Sequence, residues 1–412
     1  MLLYICPVLI HYALAVSHRC GWRDSGMMIR ASALRRRLPE LLLTAVSCLF
    51  VLGVLASLES WLRLRTGGAP DAVVDLARLH RYSETLGWEP RPLARYCESG
   101  VCTSINERGY RGRLVGANGG STPRVLILGD SVAFGLGVGD DDTFSHRLAQ
   151  DGSLQTFNLA VQGYGPDQSL IRMEQEGLAL RPDVVIMNFC LDNDFADTAV
   201  DTFLYGPQPK PYFVLSRGEL LKHDDHLRIG PTERMALWLE ERSLLLRHVQ
   251  SLTATLGRGR PIHWRERMRL ALEERPERIA TTFAILRRMS DRAEAAGAAF
   301  LLVVHPTGPA YRSGSPWLAA FSSSPLLDRI SVLSLREPYR AQGLRFREIS
   351  MDRGGHLTPL GHRVAAEVIG TALREIRRQR DARSRAGRPA ALGETAQQLG
   401  PGLGVGRPRP RA

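Results

Sequence analysis

Apolar positions along this chain fall into one long unbroken run and several short ones separated by helical periodicity. The long run comes first. Leu41 to Leu58 reads LLLTAVSCLFVLGVLASL, eighteen residues without a charge, close to the ~20 that a helix needs to cross a bilayer. It predicts a transmembrane helix over 39–60. An earlier apolar stretch, Leu2 to Val16, is short and contains Pro7, which makes it a poor span. Further on, Val125-Leu126-Ile127-Leu128 ends in Gly129, and comparable runs occupy 154–159, 182–189, 299–304 and 330–333. Short apolar runs bounded by turn residues are the pattern of strands buried on both faces of a parallel sheet. Between them, 142–150, 167–180 and 276–296 have helical spacing. A last helix opens at Thr358-Pro359, with Val364, Ala365, Val368 and Ile369 on one face. Strands alternating with helices predict βαβ units and an α/β fold.

Three regions lack this alternation. Residues 61–123 are polar and rich in Gly and Arg, an extended lead-in with short strands. After Asp194 the pattern lapses over about 196–275, too long for a simple loop and read as an inserted helical subregion or lid, with helices within 232–256. From 377 to 412, Arg, Gly, Pro and Ala without apolar periodicity predict a disordered basic tail. The core domain is therefore 124–376. Residues 1–38 form a cytoplasmic segment, in which Met27-Met28 offers an alternative start.

Charge adds orientation. Arg30, Arg35, Arg36 and Arg37 precede the apolar run and Trp61 follows it, so the positive-inside rule places the N-terminal side in the cytoplasm and the body outside, in a periplasm or its equivalent. The net charge of +12 over 412 residues is carried almost wholly by arginine, since Lys210 and Lys222 are the only lysines. Nine arginines lie in the tail, and no recognition helix or aromatic-basic motif accompanies the charge, which argues against nucleic-acid binding. Among six cysteines no metal-site spacing occurs. Cys97 and Cys102 are close enough to pair in an oxidising compartment, or stand as two unrelated thiols.

Four segments at the exits of predicted strands supply the groups that acyl transfer requires: a hydroxyl, a base, and donors for an oxyanion. They are Gly129-Asp130-Ser131; Asn158 to Gly165, which contains Gly163; Leu191-Asp192-Asn193-Asp194; and Met351 to His362, which contains His356. Each alone is an ordinary turn. The pair His223 and His226 in a polar loop is a weak metal candidate; His305 and His362 read as structural histidines.

Taken together and in this order, the four segments resemble the SGNH (GDSL) hydrolase family over about a quarter of the chain, and Asn106 to Gly112 is similar to the segment before this domain in membrane-tethered bacterial members. The resemblance implies a flavodoxin-like three-layer α/β/α domain. It also implies Ser131 as nucleophile, His356 as base, and an oxyanion hole from Ser131, Gly163 and Asn193, with no metal or organic cofactor. The family usually has an orienting aspartate three residues before the histidine; here Asp352 stands four before it. Either the loop is one residue longer and Asp352 completes the triad, which is the reading adopted, or Ser131 and His356 act as a dyad. The function implied is ester hydrolysis, on acylated cell-envelope carbohydrate or a small ester. The alternatives are a polysaccharide O-acyltransferase with the same site, or a catalytically silent glycan-binding or assembly protein. The implied location is single-pass in a cell inner membrane.

Overall fold

The computed structural model describes residues 27–65, 79–113, 122–191, 193–204, 208–246, 249, 277–312, 321, 324–325, 329–352 and 354–385. The chain divides into two compact units: Met1–Asp71 with Arg242–Thr255, and Ala72–Glu241 with Leu256–Ala412.

In the first unit, helix α1 (Met27–Arg65) continues five residues past the predicted end of the span. Its segment Pro39–Arg65 has a mean hydropathy of 2.5 and is long and apolar enough to cross a membrane, with its apolar side chains exposed. Near its end, Glu59 accepts hydrogen bonds from Ser243 Oγ (3.0 Å) and from the backbone N–H groups of Leu244 (3.0 Å) and Leu245 (2.9 Å). A carboxylate placed on the first N–H groups of a helical turn satisfies donors that the turn itself leaves open.

The second unit is built on a parallel five-stranded sheet. Its strands are β5 (Arg124–Leu128), β6 (Gln155–Asn158), β7 (Val184–Cys190), β10 (Ala299–His305) and β11 (Ser331–Ser334), in the order β11-β10-β7-β5-β6. In order of appearance this is 2-1-3-4-5, the doubly wound arrangement that reverses direction between its first and third strands. Side chains alternate between two cores. Leu126, Leu128, Val185 and Met187 face one side, with Ile285, Leu286 and Met289 of α7 (Glu277–Ala295), below α4 (Pro166–Arg172) and α5 (Asp194–Ala199). Val125, Ile127 and Ile186 face the other, with Phe144 and Leu148 of α3 (Phe144–Ala149) and Val364, Ala365 and Ile369 of α8 (Pro359–Arg385). The fold is thus α/β in three layers. Among the small elements, α2 is Ser131–Phe134 and α6 is Pro231–Arg242.

Several boundaries differ from the sequence reading. The stretch 167–180 is α-helical only to Arg172; it continues as a π turn, Met173–Gly177, and a 3-10 turn, Leu178–Leu180. Gly177 packs against Leu126, and a Cβ there would lie 2.7 Å from its Cδ2, so the helix must approach the sheet closely at that turn. The lead-in holds two hairpins, β1 (His80–Ser83) with β2 (Gly87–Pro90) and β3 (Arg95–Glu98) with β4 (Val101–Ser104), and Cys97 is disulfide-bonded to Cys102 across the second. Asn106 to Gly112 is a turn in which Asn106 Oδ1 accepts from the N–H of Arg108 and Tyr110; the buried Arg111 side chain pairs with Asp140. The insertion contains a hairpin, β8 (Tyr212–Ser216) with β9 (Glu219–His223), that the sequence reading does not include, although Tyr212 to Leu215 is an apolar run followed by an Arg217-Gly218 turn. Helix α8 runs to Arg385, so 377–385 is helix rather than tail. Arg380 reaches back to donate to the carbonyls of Asp183 (2.5 Å) and Gly297 (2.6 Å), which gives those turns a reason to stay wound. The rest of the predicted tail, and 250–276 of the insertion, lie outside the described residues.

Candidate active site

Strand β5 delivers Ser131 to the carboxyl edge of the sheet, where the strand order reverses and where open α/β sheets bind ligands. Gly129 makes the exit possible: its φ is +142°, and a Cβ would come within 2.8 Å of the Asn188 carbonyl. Asp130 then caps α2, its Oδ1 accepting from Val132 N–H at 2.9 Å, so Ser131 occupies the first helical position. After β6, the turn with Gly163 is tied to β5 by Val161 N–H donating to the Gly129 carbonyl (3.1 Å). Gly163 has φ +75°, and a Cβ there would strike the Phe203 ring at 2.3 Å.

His356 closes on the serine from the loop before α8. The Ser131 hydroxyl donates to His356 Nε2 at 2.8 Å, and His356 Nδ1–H donates to Asp352 Oδ2 at 2.5 Å. The longer spacing is absorbed by the loop itself. Asp352 Oδ1 accepts from the N–H groups of Gly354 (2.9 Å), Gly355 (3.0 Å) and His356 (3.3 Å), winding the chain around the carboxylate. Gly355, at φ +102°, supplies the sharp bend, and Met351 N–H donates to the His356 carbonyl at 2.8 Å. Asp352 thus reaches the His356 ring despite the longer spacing.

Electrostatics follow from this contact. Burial works against the charged form of His356, but the hydrogen bond and charge of Asp352, with a further contribution from Asp130, outweigh it and raise its pKa above the usual imidazole value. Burial likewise disfavours the charged form of Asp352, yet its bonds to the ring and backbone of His356 and to Gly355 hold its pKa below the ordinary carboxylate range.

Asn193 follows β7, and its Nδ2 donates to Asp130 Oδ2 (3.1 Å) and Asp197 Oδ2 (3.2 Å). Asp194 and Asp197 are wholly buried, and both carboxyls are pushed well above the usual range. For Asp194 the causes are burial and then the charges of Asp130 and Asp197. For Asp197 burial dominates, Lys210 partly offsets it, and Asp167 and Asp130 reinforce it. Lys210 forms a fully buried ion pair with Asp167. Neither Asp197 nor Lys210 carries a local motif; the sole hint is that Lys210 is one of two lysines in an arginine-rich chain.

The remaining histidines fall outside this relay. His362 is buried, stacks on Phe144, and its Nδ1 accepts from Phe144 N–H at 3.2 Å; burial, with the charges of His305, Arg111 and Arg147, pushes its pKa down to about 3. His305 is buried beside Gly355; burial, only partly offset by the Gly355 backbone and reinforced by His356, pushes it down to about 4. His223 stacks on Tyr212 and His226 Nε2 bonds the Lys210 carbonyl at 3.0 Å. Among the described residues no group of three or more His, Cys, Asp or Glu could hold a metal ion.

No family model and no curated protein matches the sequence. Solved structures do. One is a G-D-S-L-family lipolytic protein from Desulfitobacterium hafniense, at 12% identity and TM-score 0.34, over 60% of this chain and 98% of that one. Another is an acylhydrolase from Bacteroides fragilis, at 14% identity and TM-score 0.33, over 63% and 89%. A third is an acetylxylan esterase from Geobacillus stearothermophilus, at 11% identity and TM-score 0.34, over 61% and 93%.

Proposed function

We propose that this chain is a membrane-anchored serine esterase of the SGNH type that cleaves O-acyl esters through an acyl-enzyme. The single observation that carries the reading is the unbroken relay from Ser131 Oγ through the His356 ring to Asp352 at the carboxyl edge of a parallel sheet. His356 Nε2 takes the hydroxyl proton as Oγ attacks the ester carbonyl, and returns it to the departing alcohol as the carbon–oxygen bond breaks. Water, deprotonated by the same nitrogen, then releases the acid and restores Ser131. Backbone N–H groups of Ser131 and Gly163 and the Asn193 amide are the proposed donors to the intermediate's oxygen. For Asn193 this means exchanging one of its two carboxylate partners for the substrate.

The apolar segment of α1 is read as a single span of a cell inner membrane, with the basic residues before it in the cytoplasm and the sheet domain in the periplasm. That placement supports acylated envelope carbohydrate, acetyl esters first, as the substrate class. A fluorophosphonate probe applied to the detergent-solubilised full chain should label Ser131, and p-nitrophenyl acetate should be hydrolysed. Label and turnover that persist in Ser131→Ala would overturn the assignment, as would their absence from the unaltered protein.

A further inference from the structure

The turn that carries Gly163 has two backbone states open to it. Tyr164 N–H donates to the Val161 carbonyl at 3.1 Å, which closes a β-turn with Gln162 and Gly163 at its centre. Gly163 has φ +75°, the conformation that a type II turn requires at its third position. Type I differs chiefly by a half-rotation of the central peptide, Gln162 C=O with Gly163 N–H, and glycine can adopt either. A peptide is planar and trans, so its C=O and N–H point in opposite directions. Turning the Gln162 carbonyl over therefore carries the Gly163 N–H, the proposed oxyanion donor, to the other face of the turn.

The Gln162 carbonyl is held from outside the turn. Trp88 Nε1–H, on β2 of the lead-in, donates to it at 3.0 Å, and the indole is buried. Its ring meets Tyr164 and Phe203 edge-on, with centroids 5.7 Å and 5.4 Å away. The backbone beside it is pinned as well: the Tyr164 hydroxyl donates to the Trp88 carbonyl at 2.5 Å, and Gln168 Nε2 to the Leu86 carbonyl at 2.7 Å. Gly87, at φ +80°, seats the hairpin so closely on Pro209 that a Cβ would lie 2.1 Å from its carbonyl oxygen. An indole fixed in this way selects one orientation of the peptide. A hydrogen bond accepted at the carbonyl also polarises the amide, which makes its N–H the stronger donor.

We propose that Trp88 is a positioning residue for the reaction: through the Gln162 carbonyl it latches the turn in the state whose Gly163 N–H faces the intermediate's oxygen. This rests on the reading of the chain as a serine esterase with Gly163 in its oxyanion hole. The test uses the detergent-solubilised full chain and Trp88→Phe, which keeps an aromatic ring without the donor; Trp88→Met is carried alongside. Active sites are counted by fluorophosphonate titration carried to completion, and kcat for p-nitrophenyl acetate is expressed per titrated site. Phenylboronic acid, which adds to a serine hydroxyl as a tetrahedral anion, reports on the oxyanion hole. In both variants kcat per site should fall about tenfold or more, part of the ~10²–10³ that one oxyanion donor supplies. KM should stay within about twofold, and boronate binding should weaken by about the factor lost from kcat. The acid limb of the pH profile should not move, because the Ser131–His356–Asp352 contacts are untouched. An unchanged kcat per site and boronate affinity overturn the proposal and leave the esterase standing, even if fewer sites titrate. A limb that moves overturns it too, since the loss would then run through the relay. So does a failure of both variants to give any titratable site, which would make the indole a requirement of folding alone. Absence of Ser131-dependent turnover in the unaltered chain sinks the esterase reading and the latch with it.

Discussion

Two aspartates of the candidate site, Asp352 beside His356 and Asp197 beside Asn193, are treated in opposite ways. In the histidine loop, Asp352 is half-exposed and surrounded by donors: an imidazole and three backbone N–H groups. Its charge is welcome there. On the first turn of α5, Asp197 is wholly buried, receives one amide hydrogen from Asn193, and shares its surroundings with Asp130, Asp167 and Asp194. The same side chain is held ionised in one place and pushed toward its neutral form in the other. Number of donors and access to water decide between them.

The sharpest way to test the charged side is to remove what it serves. Ser131→Ala should lower kcat for p-nitrophenyl acetate by about 10⁴-fold or more, with the melting temperature little changed. Asp352→Asn comes next, at about 10³–10⁴-fold, because an amide can hold the ring in the wrong tautomer. It should also move the pH profile. A base must be neutral to accept a proton, so kcat/KM should rise with pH through a His356 value above the ordinary 6.5. Without the Asp352 charge and hydrogen bond, burial dominates and the acid limb should shift to lower pH. A limb that stays in place would mean that another group sets it.

On the buried side, Lys210→Met should destabilise the fold by about 3–5 kcal/mol in denaturant melts, since it leaves Asp167 buried without its partner. Asp197→Asn keeps an acceptor for the Asn193 amide and should lower kcat less than tenfold, whereas Asp197→Ala should cost about tenfold or more with KM nearly unchanged. Equal effects of the two substitutions would show that neither the volume of Asp197 nor the acceptor it offers Asn193 matters to the reaction. The smallest effect is expected from reducing the Cys97–Cys102 bridge, which closes a short loop on an exposed hairpin.

The charged side is largely legible in the sequence. Val125 to Leu128 followed by Gly129-Asp130-Ser131, and a histidine before a Thr-Pro helix start, are local signals, and the apolar runs place them on one sheet edge. The position of Asp352 stays open there because residue spacing does not say how a loop folds back; in the structure three backbone donors gather on one carboxylate oxygen and turn the other toward His356. The buried side is not legible. Asp197 and Lys210 act through burial and long-range pairing, and a polar residue gives no sequence sign that the chain will close over it. Half of the β8–β9 hairpin is legible, since Tyr212 to Leu215 is an apolar run before Arg217-Gly218, but Glu219 to His223 is exposed and nearly devoid of alternation.

Arg380 spans the entry loops of two adjacent strands from a position that composition alone would assign to a floppy extension. Anyone trimming this protein for crystallisation by its hydrophobic pattern would cut near Ile376 and sever both ties. The trimmed product should then fray where β7 and β10 begin, at the end of the sheet away from Ser131, and lose solubility before the Ser131–His356–Asp352 contacts are lost.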